Sequence, residues 1–148
     1  MNSLENLSVT GALNITLQKE DGSVQTIDTK NLVVSTGLNF IVSRMKDATA
    51  TVMSNMSLGT STTAAALADT TLGAEISGSR VALTSTTVTA NQIVYVASFA
   101  AGVGTGAVTE AGIFNAGTGG TMLCHTIFPV VNKQAGDSMT VTWTVSVN

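Results

Sequence analysis

The sequence predicts a single all-β domain, a β-sandwich of the jelly-roll kind with one short amphipathic helix. Thr and Val, whose β-branched side chains fit a pleated surface, are abundant along the whole chain. Eight or nine stretches have strand character, and turn sequences rich in Gly, Asn and Asp separate them. Frequent turns between short strands are typical of sandwiches and jelly rolls, and not of alternating strands and helices.

The clearest strand prediction covers residues 137–147. Its apolar residues alternate with Ser and Thr, so they fall on one face of an extended chain: Met139, Val141, Trp143, Val145 and Val147. Trp143 is the only Trp and can cover more apolar area than any other residue. We therefore expect it near the centre of the core.

Residues 1–8 are interpreted as an N-terminal arm, and residues 9–148 as the single domain. The arm is polar except for Leu4 and Leu7. It is either a frayed end, as termini often are, or an extension that docks these two leucines on a neighbouring subunit. Residues 9–34 then predict a β-hairpin, with Asp21-Gly22 at its turn.

Residues 36–46 predict the one helix. Four apolar residues recur at the spacing of one helical face: Leu38, Ile41, Val42 and Met45. Ser35 or Thr36 is a candidate N-cap. An amphipathic helix of this length is expected to plug an end or a side of the sandwich.

Further strands are predicted at residues 53–58, 76–89, 91–101, 108–114 and 121–128. Pro129 is expected to close the last of these, because proline lacks the N–H group that a sheet ladder needs.

Two segments resemble motifs of enzymes, but both matches are weak. Gly136-Asp137-Ser138 is similar to the Gly-Asp-Ser block of one esterase family, but a serine nucleophile needs a base, and the only His is His125. Residues 102–106 have the glycine pattern of a dinucleotide loop, yet a strand-like segment follows them where that site needs a helix. We predict no catalytic residue and no cofactor.

A metal site is not expected either. Cys124 and His125 are adjacent, so they point to opposite faces of their strand and cannot share a metal ion. Cys124 is interpreted as a small core residue. Carboxylates are dispersed along the chain, and Glu110, inside an apolar strand, is the one whose burial would be informative.

The charge pattern argues against some partners. Net charge is −3, and the six Lys and Arg residues are scattered, whereas nucleic-acid binding draws on clustered cations. No stretch approaches 18 apolar residues and no leader pattern begins the sequence, so neither a membrane span nor a secretion signal is expected. Charged residues make up only 10%, which suits a subunit packed among neighbours.

Several segments resemble small structural proteins of tailed bacteriophages. Residues 109–115 (TEAGIFN), 121–129 (TMLCHTIFP), 132–133 (NK) and 136–143 (GDSMTVTW) follow an order common in such proteins: a Glu-x-Gly-hydrophobic-Phe strand, a Gly-rich turn, a strand ending in Phe-Pro, a Lys, a Gly-Asp turn and a Thr-Val-Thr-Trp strand. Residues 31–39 and 58–64 are similar to the same group.

The resemblance implies a structural virion protein and not an enzyme. Its first implied function is a capsid decoration (cement) protein on the surface of the shell, which binds major capsid protein subunits. The low proportion of charged residues separately favours a homo-oligomer, a dimer or a trimer. The alternative is a tail-fibre or baseplate module, structural or receptor-binding. A small hydrolase is the third class, and the single His argues against it.

Overall fold

A computed structural model describes residues 7–148 of the chain. Nine strands and one helix lie within this range. In chain order they are β1 (Val9–Gln18), β2 (Val24–Val33), α1 (Ser35–Lys46), β3 (Asn55–Gly59), β4 (Val81–Ala82), β5 (Ser85–Thr89), β6 (Gln92–Phe99), β7 (Gly106–Phe114), β8 (Met122–Lys133) and β9 (Ser138–Val147).

Backbone hydrogen bonds join all nine strands in one antiparallel sheet, in the order β4-β3-β7-β8-β2-β1-β9-β6-β5. The sheet curls, since β4 at one end of this order contacts β6 near the other end. Buried side chains from both halves consequently form one main core. The all-β fold with a single short helix is confirmed, while the layered sandwich of the jelly-roll kind stays a prediction.

The C-terminal strand lies at the centre of the core, as predicted. Trp143 is fully buried and is paired with Leu13 of β1 on one side and with Tyr95 of β6 on the other. The predicted N-terminal hairpin is also present, and Gly22 at its turn has a φ of 88°, a conformation that favours glycine.

Two strand predictions were wrong in their limits. Residues 76–89 hold two short strands, β4 and β5, with a turn before them. Strand β8 continues through Pro129 to Lys133. Proline is tolerated there because β2 pairs with β8 only around Cys124 and His125, so this part of β8 has a free edge.

Residues 60–80, a loop between β3 and β4, cover the outer face of β3, β7 and β8. Leu72 of this loop packs with Phe114 and Met122 in a second apolar cluster. Nearly every residue of β7 is therefore buried, on both of its faces. This covered outer face holds the polar cluster described below.

Helix α1 begins at Ser35, one residue before its predicted start, and neither predicted N-cap side chain caps it. The Thr36 hydroxyl donates instead to the carbonyl oxygen of Met122, at 2.8 Å. Gly37 is the one buried residue of α1, and a side chain there would collide with the carbonyl oxygen of Leu123. The helix is thus seated on β8 by close backbone approach.

Candidate functional site

Glu110 lies at 0% exposure on the outer face of β7. Its Oε1 accepts hydrogen bonds from the backbone N–H groups of Ser61 (3.3 Å) and Ala74 (2.7 Å). Its Oε2 accepts from the N–H of Gly73 (3.0 Å) and from Nε2 of His125 (2.8 Å). Two bonds to each oxygen satisfy the carboxylate, which is the condition for burying such a group at tolerable cost.

His125 connects this carboxylate to a second one. The imidazole is 4% exposed, and its Nδ1 lies 2.8 Å from Oδ2 of Asp69. Each ring nitrogen of His125 therefore faces a carboxylate oxygen. We call Glu110, His125 and Asp69 the loop clip, because Asp69 belongs to the covering loop and the other two belong to the sheet.

Asp69 closes the clip on the loop side. Its Oδ2 also accepts the backbone N–H of Ala66 at 2.7 Å. That bond lowers the pKa of the Asp69 carboxyl below its ordinary value of 3.8, and the hydrogen bond and charge of His125 add to the lowering, while partial burial acts in the opposite direction. The clip therefore contains an ionised Asp69 at neutral pH.

The clip anchors the covering loop to the sheet. A polar hollow of about 370 Å³ lies beside it, lined among others by Thr63, Thr70 and His125. Both ring nitrogens of His125 are bonded to carboxylates, so neither is directed at a hydroxyl group in this arrangement. Together the three side chains hold both halves of the loop, since Ser61, Ala66, Gly73 and Ala74 all donate to them.

Sequence reasoning identified part of the clip. It selected Glu110 as a carboxylate whose burial would be informative, and the burial is complete. It did not associate Glu110 with His125 or Asp69. Glu110 and His125 could have been identified as polar residues within two apolar strands. No sequence pattern marks Asp69, because a loop residue shows no periodicity.

The Gly-Asp-Ser segment is a turn that leads into the last strand. The Asp137 carboxylate accepts the backbone N–H groups of Glu20 (3.1 Å) and Gln134 (2.8 Å), and Ser138 begins β9. Buried Lys133 donates from Nζ to the carbonyl oxygens of Asp137 (2.7 Å) and Ala100 (3.0 Å). The segment therefore joins two chain turns and lies apart from the loop clip.

Cys124 is fully buried in the main core, which confirms its interpretation as a core residue. Burial raises the pKa of its thiol to about 12. Within residues 7–148, no three His, Cys, Asp or Glu side chains are arranged to hold a metal ion. The one helix of this range is too short to cross a membrane.

The second unusual feature is the outer surface of α1. Leu38 is 38% exposed, Val42 is 65% exposed and Met45 is 81% exposed. These residues are spaced i, i+4, i+7, so they share one face of the helix. We call them the α1 stripe. Of the four residues in the predicted apolar face, only Ile41 is half-buried against the main core.

The two predicted partner-binding residues have different outcomes. Leu4 lies outside the described residues. Leu7 is 76% exposed and directly precedes the end of the β1–β9 ladder, where Ser8 and Asn148 exchange backbone hydrogen bonds of 2.9 and 2.7 Å. The exposure of Leu7 leaves its side chain accessible, and its role in partner binding stays a prediction.

Comparison with known proteins gave no relative: no protein-family model, no curated protein and no solved structure matches this chain.

Proposed function

We propose that this protein is a structural virion protein of a tailed phage, a capsid decoration protein that binds and stabilises the major capsid shell. The observation that carries the proposal is the α1 stripe. The phage assignment within it comes from the sequence resemblance.

An exposed apolar stripe on a helix is a typical protein-binding feature. Val42 and Met45 are mostly exposed on α1, while Gly37 on another side of the helix is buried against β8. The fold therefore fixes the helix so that this stripe points outward. A groove on a neighbouring protein that accepts such a stripe would bury apolar surface at roughly 25 cal/mol per Å².

Decoration needs only modest affinity at each site, because many copies act together on one shell. Loss of the apolar side chains of Val42 and Met45 should still weaken shell binding measurably, since burying each such side chain is worth about 1.5–3 kcal/mol. The stripe also shares no residue with the loop clip, so shell binding through the stripe does not require the clip.

The experiment uses particles of the encoding phage, stripped of peripheral proteins and separated into heads and tails. Purified protein is mixed with each fraction, and co-sedimentation and electron microscopy measure binding. We expect the protein on heads, in a regular array. Replacing Val42 and Met45 together by Lys should weaken binding at least about tenfold.

The matched control is Val24→Lys. Val24 is a strand residue that is 60% exposed. It lies beside the Lys19–Ser23 turn, at the opposite end of β2 from α1. Its substitution should leave head binding unchanged. Added density on tails and none on heads would replace this proposal by the tail-fibre or baseplate function. No binding to either particle would reject a virion role.

A further inference from the structure

An apolar groove of about 330 Å³ lies between α1 and the end of the sheet. Its floor includes Tyr95 and Val145, which are 5% and 4% exposed, and its rim includes Val88, which is 71% exposed. Phe40 and Ile41 form the helix side. The groove is open to solvent and is distinct from the α1 stripe, which lies on the outer surface of the helix.

The N-terminal arm enters the fold at the rim of this groove. The β1–β9 ladder runs out to Ser8 and Asn148, and Val147, the residue before Asn148, lines the groove. Val9 is paired with Val147 and packs against the main core. Since side chains alternate along an extended chain, Leu7 falls on the same face as Val9, towards the groove.

Leu7 nevertheless does not fill its own groove, because its side chain is 76% exposed. The neighbouring strand β5 forms one edge of the sheet and all five of its residues are exposed. An edge strand offers backbone donors and acceptors to another extended chain. The groove and this edge together fit an extended segment that carries apolar side chains.

We propose that the N-terminal arm of a second copy of this chain lies along this edge and packs its Leu7 into the groove. Leu4 precedes Leu7 by three residues, so in an extended arm the two side chains would lie on opposite faces, and Leu7 is the leucine directed at the groove. Mutual exchange of arms gives a closed dimer, and exchange in one rotational direction gives a closed ring such as a trimer. Neither arrangement depends on a capsid, so the proposal goes beyond the decoration function.

Light scattering on the full-length chain across a concentration series tests the proposal with two variants. The arm variant carries Leu7→Ser; the groove variant carries Val88→Lys. Both are at exposed positions. We expect the unchanged chain to form a dimer or a small closed ring, and each variant to associate at least about tenfold more weakly. Val24→Lys serves again as the control and should associate like the unchanged chain. Thermal unfolding verifies that every variant is folded.

Mixing the two variants separates exchange between copies from docking within one copy. The arm variant retains an intact groove and the groove variant retains an intact arm, so native mass spectrometry should show a mixed complex of the two. A monomeric unchanged chain, or variants that associate normally, would overturn the proposal, as would a mixture without the mixed complex. The Val42 and Met45 variant should still self-associate, so loss of head binding and loss of self-association are distinguishable.

Discussion

The outer face of β7 and the outer surface of α1 reverse the usual distribution of side chains. Glu110 is a charged residue at 0% exposure, whereas Met45 is an apolar residue at 81% exposure. Each arrangement is unfavourable in isolation. At β7 the cost is offset within the chain, because the covering loop supplies three backbone N–H groups and His125 supplies a fourth donor.

At α1 no such compensation exists within the described residues. Gly37 fixes how closely the helix approaches β8, and the α1 stripe begins about a quarter turn away around the helix. The molecule completes its own packing at the loop clip, whereas under the proposed function another protein completes it at the helix. The following predictions test that difference.

Removing the Glu110 carboxylate should cause the largest loss of stability. Glu110→Ala leaves the buried His125 and three backbone N–H groups of the covering loop without their acceptor, so the free energy of unfolding should fall by about 3–5 kcal/mol. Urea unfolding followed by circular dichroism measures this. Glu20→Gln, at an exposed carboxylate, is the control; equal effects at the two positions would show that the clip is not stabilising.

A methyl group at position 37 should cost less, at about 1–3 kcal/mol, because it forces the helix away from Leu123. Alanine otherwise favours a helix over glycine by roughly 0.5–1 kcal/mol. Any net loss in Gly37→Ala must therefore come from the collision. Asn39→Ala, at an exposed position of α1, controls for helix propensity. A Gly37→Ala variant more stable than the original chain would contradict this seating of the helix.

Acid should weaken the loop clip through Asp69. Its pKa is lowered in the folded chain from an ordinary value of 3.8, so its stabilising contribution is complete above that value and is lost as the pH falls through the lower folded value. The difference in unfolding free energy between the original chain and Asp69→Asn should therefore shrink below pH 3.8. A difference that stays constant from pH 6 to pH 3 would refute the assigned role of Asp69.

Charging the α1 stripe should have the smallest effect on folding. Val42 and Met45 are largely exposed, so the double substitution to Lys should change the free energy of unfolding by no more than about 0.5 kcal/mol. Thermal and urea unfolding of the isolated protein measure it. A loss comparable to that of Glu110→Ala would mean that the stripe packs within its own chain.

Much of the fold was predictable from local patterns. Alternation located β9 and the hairpin, and the helical spacing located α1 to within one residue, because each pattern is set by neighbours in sequence. The strand limit at Pro129 was wrong, since whether a missing N–H matters depends on which edge of β8 has a partner.

The candidate site was harder to predict from the sequence than the fold. The face that α1 turns to the sheet depends on the contact between Gly37 and Leu123, which are far apart in sequence. The loop clip likewise joins Asp69, Glu110 and His125 from three separate elements. Such contacts are consequences of the complete sheet topology and leave no period in the sequence. The fold class is therefore the part that sequence reasoning reaches best.

Amide hydrogen exchange, compared between the isolated protein and the protein bound to phage heads, tests the central claim most directly. The account predicts added protection in α1, around residues 38–46, and unchanged exchange in the covering loop at residues 60–80, which is already closed by the clip. Added protection in the covering loop with none in α1 would contradict it, because the molecule would then bind through the face that it completes by itself.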